Sequence, residues 1–203
     1  MKIFDLTMEI DERTPVFLGD RKQEITQHAT IAKEGWNEKK LSFTSHFSTH
    51  IDAPSHMLEG AKNLDDFPIS FFIGEGIVLD SFGKNPIEVD LGLVKEGDIV
   101  FFYTGHSENL YSDSYFQDNP VITRKTADEL IQRKARIIGL DSFTPDNEPY
   151  ALHKLLFKYD ILVVENLVNL KPLVGKRFEC IILPLKIKHA DGAPCRVIAR
   201  FSD

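Results

Sequence analysis

The chain has 203 residues, 42% of them hydrophobic and 27% charged, which is enough apolar content for a substantial core and argues against disorder. Its net charge of −7, with Lys and Arg scattered along the chain, excludes nucleic acid and anionic membrane as natural partners. No apolar run is long enough to span a bilayer, and the opening "MKIFDLTMEI" lacks a basic segment followed by an apolar one. Cys180 and Cys195, with no CxxC, make no disulfide framework, so the expectation is a cytoplasmic protein.

Short β-branched runs bounded by Gly, Pro, Asp or Asn predict strands at 2–7, 76–81, 98–105, 135–142, 160–166, 180–187 and 195–201. The apolar "FPISFFIG" at 67–74 suits either core or interface, and 105–121 is the longest loop-like stretch, a candidate lid or substrate loop. Two segments read as helices. "TADELIQRK" opens on Thr126 with Glu129 at capping-box spacing, and "EPYALHKLLFKY" places Leu152, Leu155, Leu156 and Tyr159 on one stripe. Strands dominate, with no internal repeat and no linker, which predicts a single mixed α/β domain.

The chemistry concentrates in "SHFSTHIDAPSHM" at 45–57, where a chain of seven histidines crowds His46, His50 and His56 around Asp52. Such rings repel one another once protonated, and each buried ring nitrogen needs a partner; a bound cation answers both. Pro54 and the β-branched Thr49 and Ile51 disfavour a helix here. In a straight strand, at about 3.3 Å per residue, His46 and His50 would stand about 13 Å apart at Cα, too far to share an ion. The chain must therefore curl near Ser48, on a bent strand end or loop, with Pro54 stiffening the exit. Imidazole and carboxylate donors suit zinc, manganese or iron better than magnesium or calcium. Such an ion lowers the pKa of a bound water and polarises a carbonyl. His56, beyond the proline, is placed to stay off the ion and shuttle protons.

"HFSTHIDAPSH" resembles the H-x-G-T-H-x-D-x-P-x-H signature of the cyclase family of metal-dependent hydrolases, which includes bacterial kynurenine formamidase and isatin hydrolase. "TPVFLGD" at 14–20 is similar to the family's early turn, "FFYTGH" and "IIGLDS" to its central strands, and "ILVVENLVNL" and "LPLKIKHADGAPCRVIA" to its C-terminal part. The resemblance implies an α/β fold, a single mixed-sheet domain of the swivelling β/α type spanning 1–203. It makes His46, His50 and Asp52 metal ligands and His56 the catalytic acid/base. In the two-metal formamidases a later histidine and a glutamate twelve residues beyond it complete the site; His153 and Glu165 have that separation. Glu165 ends a very apolar strand, where an unpaired carboxylate would be costly. Phe17 falls where the formamidases present an aromatic residue to an aryl substrate.

One departure is Ser48, where the family signature has glycine; serine curls less readily and adds a hydroxyl that would reach water or substrate. Arg196 is expected to bind a substrate carboxylate or to hold Asp191 or another acid, and Cys195 to be a small buried residue. The implied activity is hydrolysis of a small amide, an arylformamide such as N-formylkynurenine or a cyclic lactam such as isatin, with one or two zinc or manganese ions. A homo-oligomer, dimer or tetramer, is implied as well. The alternatives are cyclisation or dehydration at the same metal site, or a non-catalytic metal- or ligand-binding relative. A serine hydrolase is disfavoured because no G-x-S-x-G elbow is present.

Overall fold

The computed structural model describes residues 1–112 and 114–201. The chain begins with β1 (Lys2–Asp5), followed by a hairpin of β2 (Glu24–Ala29) and β3 (Glu38–Ser42) around a one-turn helix α1 (Ile31–Glu34). Next come the short β4 (His50–Asp52), β5 (Ile73–Asp80) and β6 (Ile99–Tyr103). Helix α2 (Arg124–Gln132), β7 (Ile137–Leu140), α3 (Ala151–Phe157) and β8 (Leu162–Glu165) alternate, and β9 (Arg177–Pro184) and β10 (Gly192–Phe201) finish the chain.

Strands β10, β4, β8, β7, β6, β5 and β9 are hydrogen-bonded in that order, and β9 pairs again with β10, so the sheet closes into a seven-stranded mixed barrel. β1 is added antiparallel along the far half of β10. Strands β5, β6, β7 and β8 run parallel to one another, which requires crossover connections, and α2 and α3 supply two of them; β5 meets β9 and β8 meets β4 antiparallel. The sheet is therefore covered on both faces, which is why its central strands are apolar without interruption. On β6, Ile99 and Phe101 enter one core while Val100 and Phe102 enter the other, the two-residue alternation of a strand. The second core also holds Leu130 of α2 and Leu156 and Phe157 of α3, so it lies outside the ring and the first fills the interior. Among the described residues no helix is long and apolar enough to cross a membrane.

The strand forecasts all meet a strand, but several local expectations are corrected. Helix α2 starts earlier than Thr126: Thr123 is its cap, its hydroxyl accepting from the Thr126 N–H at 3.0 Å. Thr126 is buried and gives its own hydroxyl to the Ile87 carbonyl, while Glu129 pairs with Arg133. Helix α3 ends at Phe157, so Tyr159 leaves the expected stripe and is exposed, and Phe157 is buried instead. In 67–74, Phe67 and Phe72 are core while Ile69 is exposed. The β2–β3 hairpin was not foreseen; its strands are nearly all exposed and carry no apolar alternation to detect.

Candidate metal centre and its pocket

Strand β4 is three residues long and each neighbour brings part of the site. Its register with β8 sets His50 opposite Glu165, and its register with β10 sets Asp52 opposite Gly192. The chain enters β4 by curling at Ser48, whose φ of 59° is left-handed. This is the bend required between His46 and His50, and it brings their ring centroids to 5.2 Å. The Ser48 hydroxyl donates its proton to the Met8 carbonyl at 3.3 Å while the residue lines the cavity. Beyond Asp52, Pro54 opens a single 3-10 turn that ends on His56, and the His56 ring stands 3.9 Å from that of His46. A Cβ at Gly192 would come within 2.5 Å of the His46 ring, so glycine lets β10 pass this close.

His50 and His153, both buried, and His46, partly buried, each give one ring nitrogen to an acceptor outside the cluster and turn the other inward. His50 Nδ1 donates to the Ser48 carbonyl at 2.9 Å, His153 Nδ1 meets Asp146 at 2.5 Å, and His46 Nε2 meets Asp191 at 3.0 Å. Asp146 is fixed in turn by the N–H groups of Leu152 and His153 at the start of α3. The inward nitrogens face carboxylates. His46 Nδ1 lies 2.7 Å from Asp52, His50 Nε2 3.3 Å from both Asp52 and Glu165, and His153 Nε2 3.3 Å from Glu165 and 3.8 Å from Asp52. An outward hydrogen bond that sets the tautomer and an inward lone pair is the arrangement of metal-binding imidazoles. Two groups, His50–Asp52–Glu165 and His46–Asp52–His56, have potential ligand atoms within 4.8 Å of one another, with Asp52 in common.

Charge makes the same point. Burial pulls His50 and His153 towards neutrality, but Asp52, Glu165 and Asp146 outweigh it and hold both well above the ordinary histidine value. Burial likewise opposes ionisation of Asp52, yet the surrounding imidazoles keep it well below the usual carboxylate range. Without a metal, protons on the histidines balance these buried carboxylates; a divalent ion bound by nitrogen and oxygen donors would do the same work, so the residues present fit one. His56 differs. Burial and the neighbouring His46 and His153 outweigh Asp52 and push its pKa below the ordinary value, and its nearest carboxylate, on Asp191, is 3.7 Å from Nδ1.

The cluster forms the floor of a cavity of about 570 Å³. One wall is aromatic: Phe17 packs against Phe116 and Phe143 with ring centroids 5.8 and 5.9 Å away. Phe17 is 43% exposed, so it is a rim residue rather than a core one.

With this geometry established, the family follows. The chain matches the family model described as "Putative cyclase" over residues 4–147. It belongs to the cyclase family. An uncharacterized protein of Methanocaldococcus jannaschii is 34% identical, over 98% of this chain and 99% of its own. Kynurenine formamidase of Erythrobacter litoralis is 29% identical, over 98% of this chain and 94% of its own. A solved structure described as a potential metal-dependent hydrolase with cyclase activity superposes with a TM-score of 0.82 at 26% identity, covering 99% of each chain.

In this cyclase-family chain His46, His50, Asp52, His56, His153 and Glu165 meet in one place, although they come from three separate stretches of the chain. Arg196 does not meet the site: its guanidinium pairs with Asp5 across the β10–β1 pairing. Cys195 is buried, and burial raises its thiol pKa well above the ordinary value, so it is no nucleophile. Sequence reasoning missed Asp146, Asp191 and Asn166, together with Lys154 and Tyr150 at the pocket wall. Asp191 lies in the noticed "DGAP" segment but enters the sequence reading only as a partner for Arg196; Asp146 precedes His153 by seven residues, a spacing with no meaning of its own.

Proposed function

We propose that the chain is a metal-dependent hydrolase of small amides, with arylformamides such as N-formylkynurenine ahead of cyclic lactams such as isatin. The observation that carries this reading is the set of three histidines with outward nitrogens anchored and inward nitrogens converging on Asp52 and Glu165, beneath an aromatic-walled cavity. The kinship with a kynurenine formamidase supports it. His46, His50, Asp52, His153 and Glu165 would hold one or two zinc or manganese ions. A bound divalent ion supplies Lewis-acid polarisation of the carbonyl and a lowered pKa for water.

The chain's own groups do the rest. Phe17, Phe116 and Phe143 hold the aryl group and orient the amide over the floor. His56, kept neutral by its surroundings, takes a proton from the attacking water and returns it to the leaving nitrogen. A neutral imidazole beside the cluster is what separates this reading from a relative that only binds metal. Strands β8 to β10 lie beyond the family match, yet they close the same barrel, which supports one catalytic domain over 1–203.

The test combines metal analysis with an amide screen. Protein purified without chelator should carry one or two equivalents of zinc or manganese and release formate from N-formylkynurenine. His56→Ala should lose about 10²–10⁴-fold in kcat with metal content and melting temperature unchanged. A metal-loaded wild-type protein that hydrolyses no amide would sink the reading, and product formed without incorporation of solvent oxygen would redirect it to cyclisation.

A further inference from the structure

Asn166 stands immediately after Glu165, at a left-handed φ of 58°. Its side chain touches two parts of the pocket at once. The Ser48 carbonyl can only accept, so the Asn166 amide NH₂ faces it, at 3.1 Å; the amide oxygen then accepts from the Tyr115 hydroxyl, at 2.7 Å. That same Ser48 carbonyl is the acceptor that orients His50. Tyr115 belongs to the 105–121 segment, is 1% exposed, and has its own carbonyl held by His106 Nε2 at 2.7 Å. The next residue is Phe116, which carries its ring into the aromatic wall beside Phe17 and Phe143. The main chain of Asn166 is also committed: its carbonyl accepts from Thr49 and its N–H donates to the Ser142 carbonyl. The amide is therefore held on a fixed backbone between the metal floor and the substrate wall.

We propose that Asn166 is a positioning residue with two arms. One arm, through the Ser48 carbonyl, sets His50 for the metal; the other, through the Tyr115 hydroxyl, holds the loop that presents Phe116 to the aryl group of the substrate. This rests on the arylformamide reading for its second arm only. The two arms give separable consequences because each ends on a different reporter. Tyr115→Phe removes one hydroxyl from a buried ring and leaves the Ser48 arm intact. It should raise KM for an arylformamide about tenfold while kcat, metal content and zinc affinity stay at wild-type values. Asn166→Ala cuts both arms, so it should raise KM similarly and also weaken zinc binding about 10–100-fold, the usual effect of losing a group that orients a ligand.

The experiment is a double-mutant cycle on full-length, zinc-loaded protein, with KM and kcat from arylformamide hydrolysis and zinc affinity from competition with a chromogenic chelator. Tyr115→Phe should have no further effect on KM in the Asn166→Ala background. Equal KM values for Tyr115→Phe and wild type would overturn the loop arm. Wild-type zinc affinity in Asn166→Ala would overturn the metal arm. If Asn166→Ala does not fold, Tyr115→Phe alone decides the loop arm, and Asn166→Ser, which retains a short hydroxyl but does not span both partners, takes its place for zinc. Should the wild type hydrolyse no amide, the arylformamide reading fails by itself, and the zinc competition still passes or fails the His50 arm.

Discussion

Ser48 brings two opposed contributions to one residue, and substituting it separates them. At φ 59° a side chain costs on the order of 1–2 kcal/mol that glycine avoids. Against this, the buried hydroxyl donates to the Met8 carbonyl, a bond with a net value of about 1 kcal/mol. Ser48→Gly relieves the backbone, loses the hydroxyl, and adds unfolded-state freedom of about 0.4–1 kcal/mol. The contributions nearly cancel, so the glycine variant should lie within about 1 kcal/mol of the wild type. Ser48→Ala keeps the strained backbone and loses the hydroxyl, so it should be destabilised by about 1–2 kcal/mol. Alanine is therefore expected to be the worse of the two, the reverse of their order in a helix or strand. Urea unfolding of the metal-free proteins at one pH, followed by far-ultraviolet circular dichroism, measures the difference, provided the m-values agree. Zinc content should not change in Ser48→Gly, because the carbonyl rather than the hydroxyl orients His50. An alanine variant as stable as the glycine variant would refute the reasoning.

Further predictions concern the groups around the ions and the rim. Asp191→Ala frees His46 Nε2, and Asp146→Asn weakens the acceptor on His153 Nδ1; each should reduce zinc affinity about 10–100-fold in chelator competition, and unchanged affinity would remove that carboxylate from the site. In the metal-free chain His50 and His153 have raised pKa values, so their contribution to stability is full below the ordinary histidine value and is lost as the pH rises through the raised ones. Asp52, whose pKa is depressed, has the opposite sign, and its contribution is lost only as the pH falls through that low value. Zinc uptake near neutral pH should then expel protons, seen as a binding enthalpy that depends on the ionisation enthalpy of the buffer; a buffer-independent enthalpy would contradict it. Phe17→Ala should raise KM several-fold for an aryl formamide and leave an aliphatic formamide nearly unaffected, and equal effects on both would show that the rim ring does not read the aryl group.

The parts of the fold that could be read from the residues were those in which a single physical demand dominates. β6, β7 and β8 are buried on both faces, so their apolar runs are unbroken and conspicuous. The β2–β3 hairpin has no such demand on it and left no pattern. At α2 the local spacing points to Thr126 as the cap, whereas the Thr123 hydroxyl caps the helix and Thr126, already inside it, is bonded to the Ile87 carbonyl, a tertiary contact that local spacing does not reveal. The site divides in the same way. His46, His50, Asp52 and His56 are crowded enough locally to raise the question of a metal by themselves. His153 and Glu165 needed the family resemblance, since nothing in their spacing says that α3 and the end of β8 converge. Asp146, Asp191 and Asn166 act by holding other residues, and that role is visible only once the partners are in place.

The short strand β4 explains why the ligands and the core are not independent. His50 and Asp52 alternate with Ile51, so one face of the strand meets the carboxylates while Ile51, fully buried, enters the barrel interior. A slip of one residue against β8 would carry Ile51 into the place opposite Glu165 and turn His50 and Asp52 into an apolar core. That state exchanges a well-packed isoleucine for buried, unpaired polar groups, at a cost of several kcal/mol. The register is also held from the other side, where Gly192 is the β10 residue opposite Asp52 and the residue whose missing side chain makes room for the His46 ring. The hydrophobic residue between the two ligands, and the glycine across from them, are thus what put a histidine and an aspartate on either side of a common point before any metal arrives.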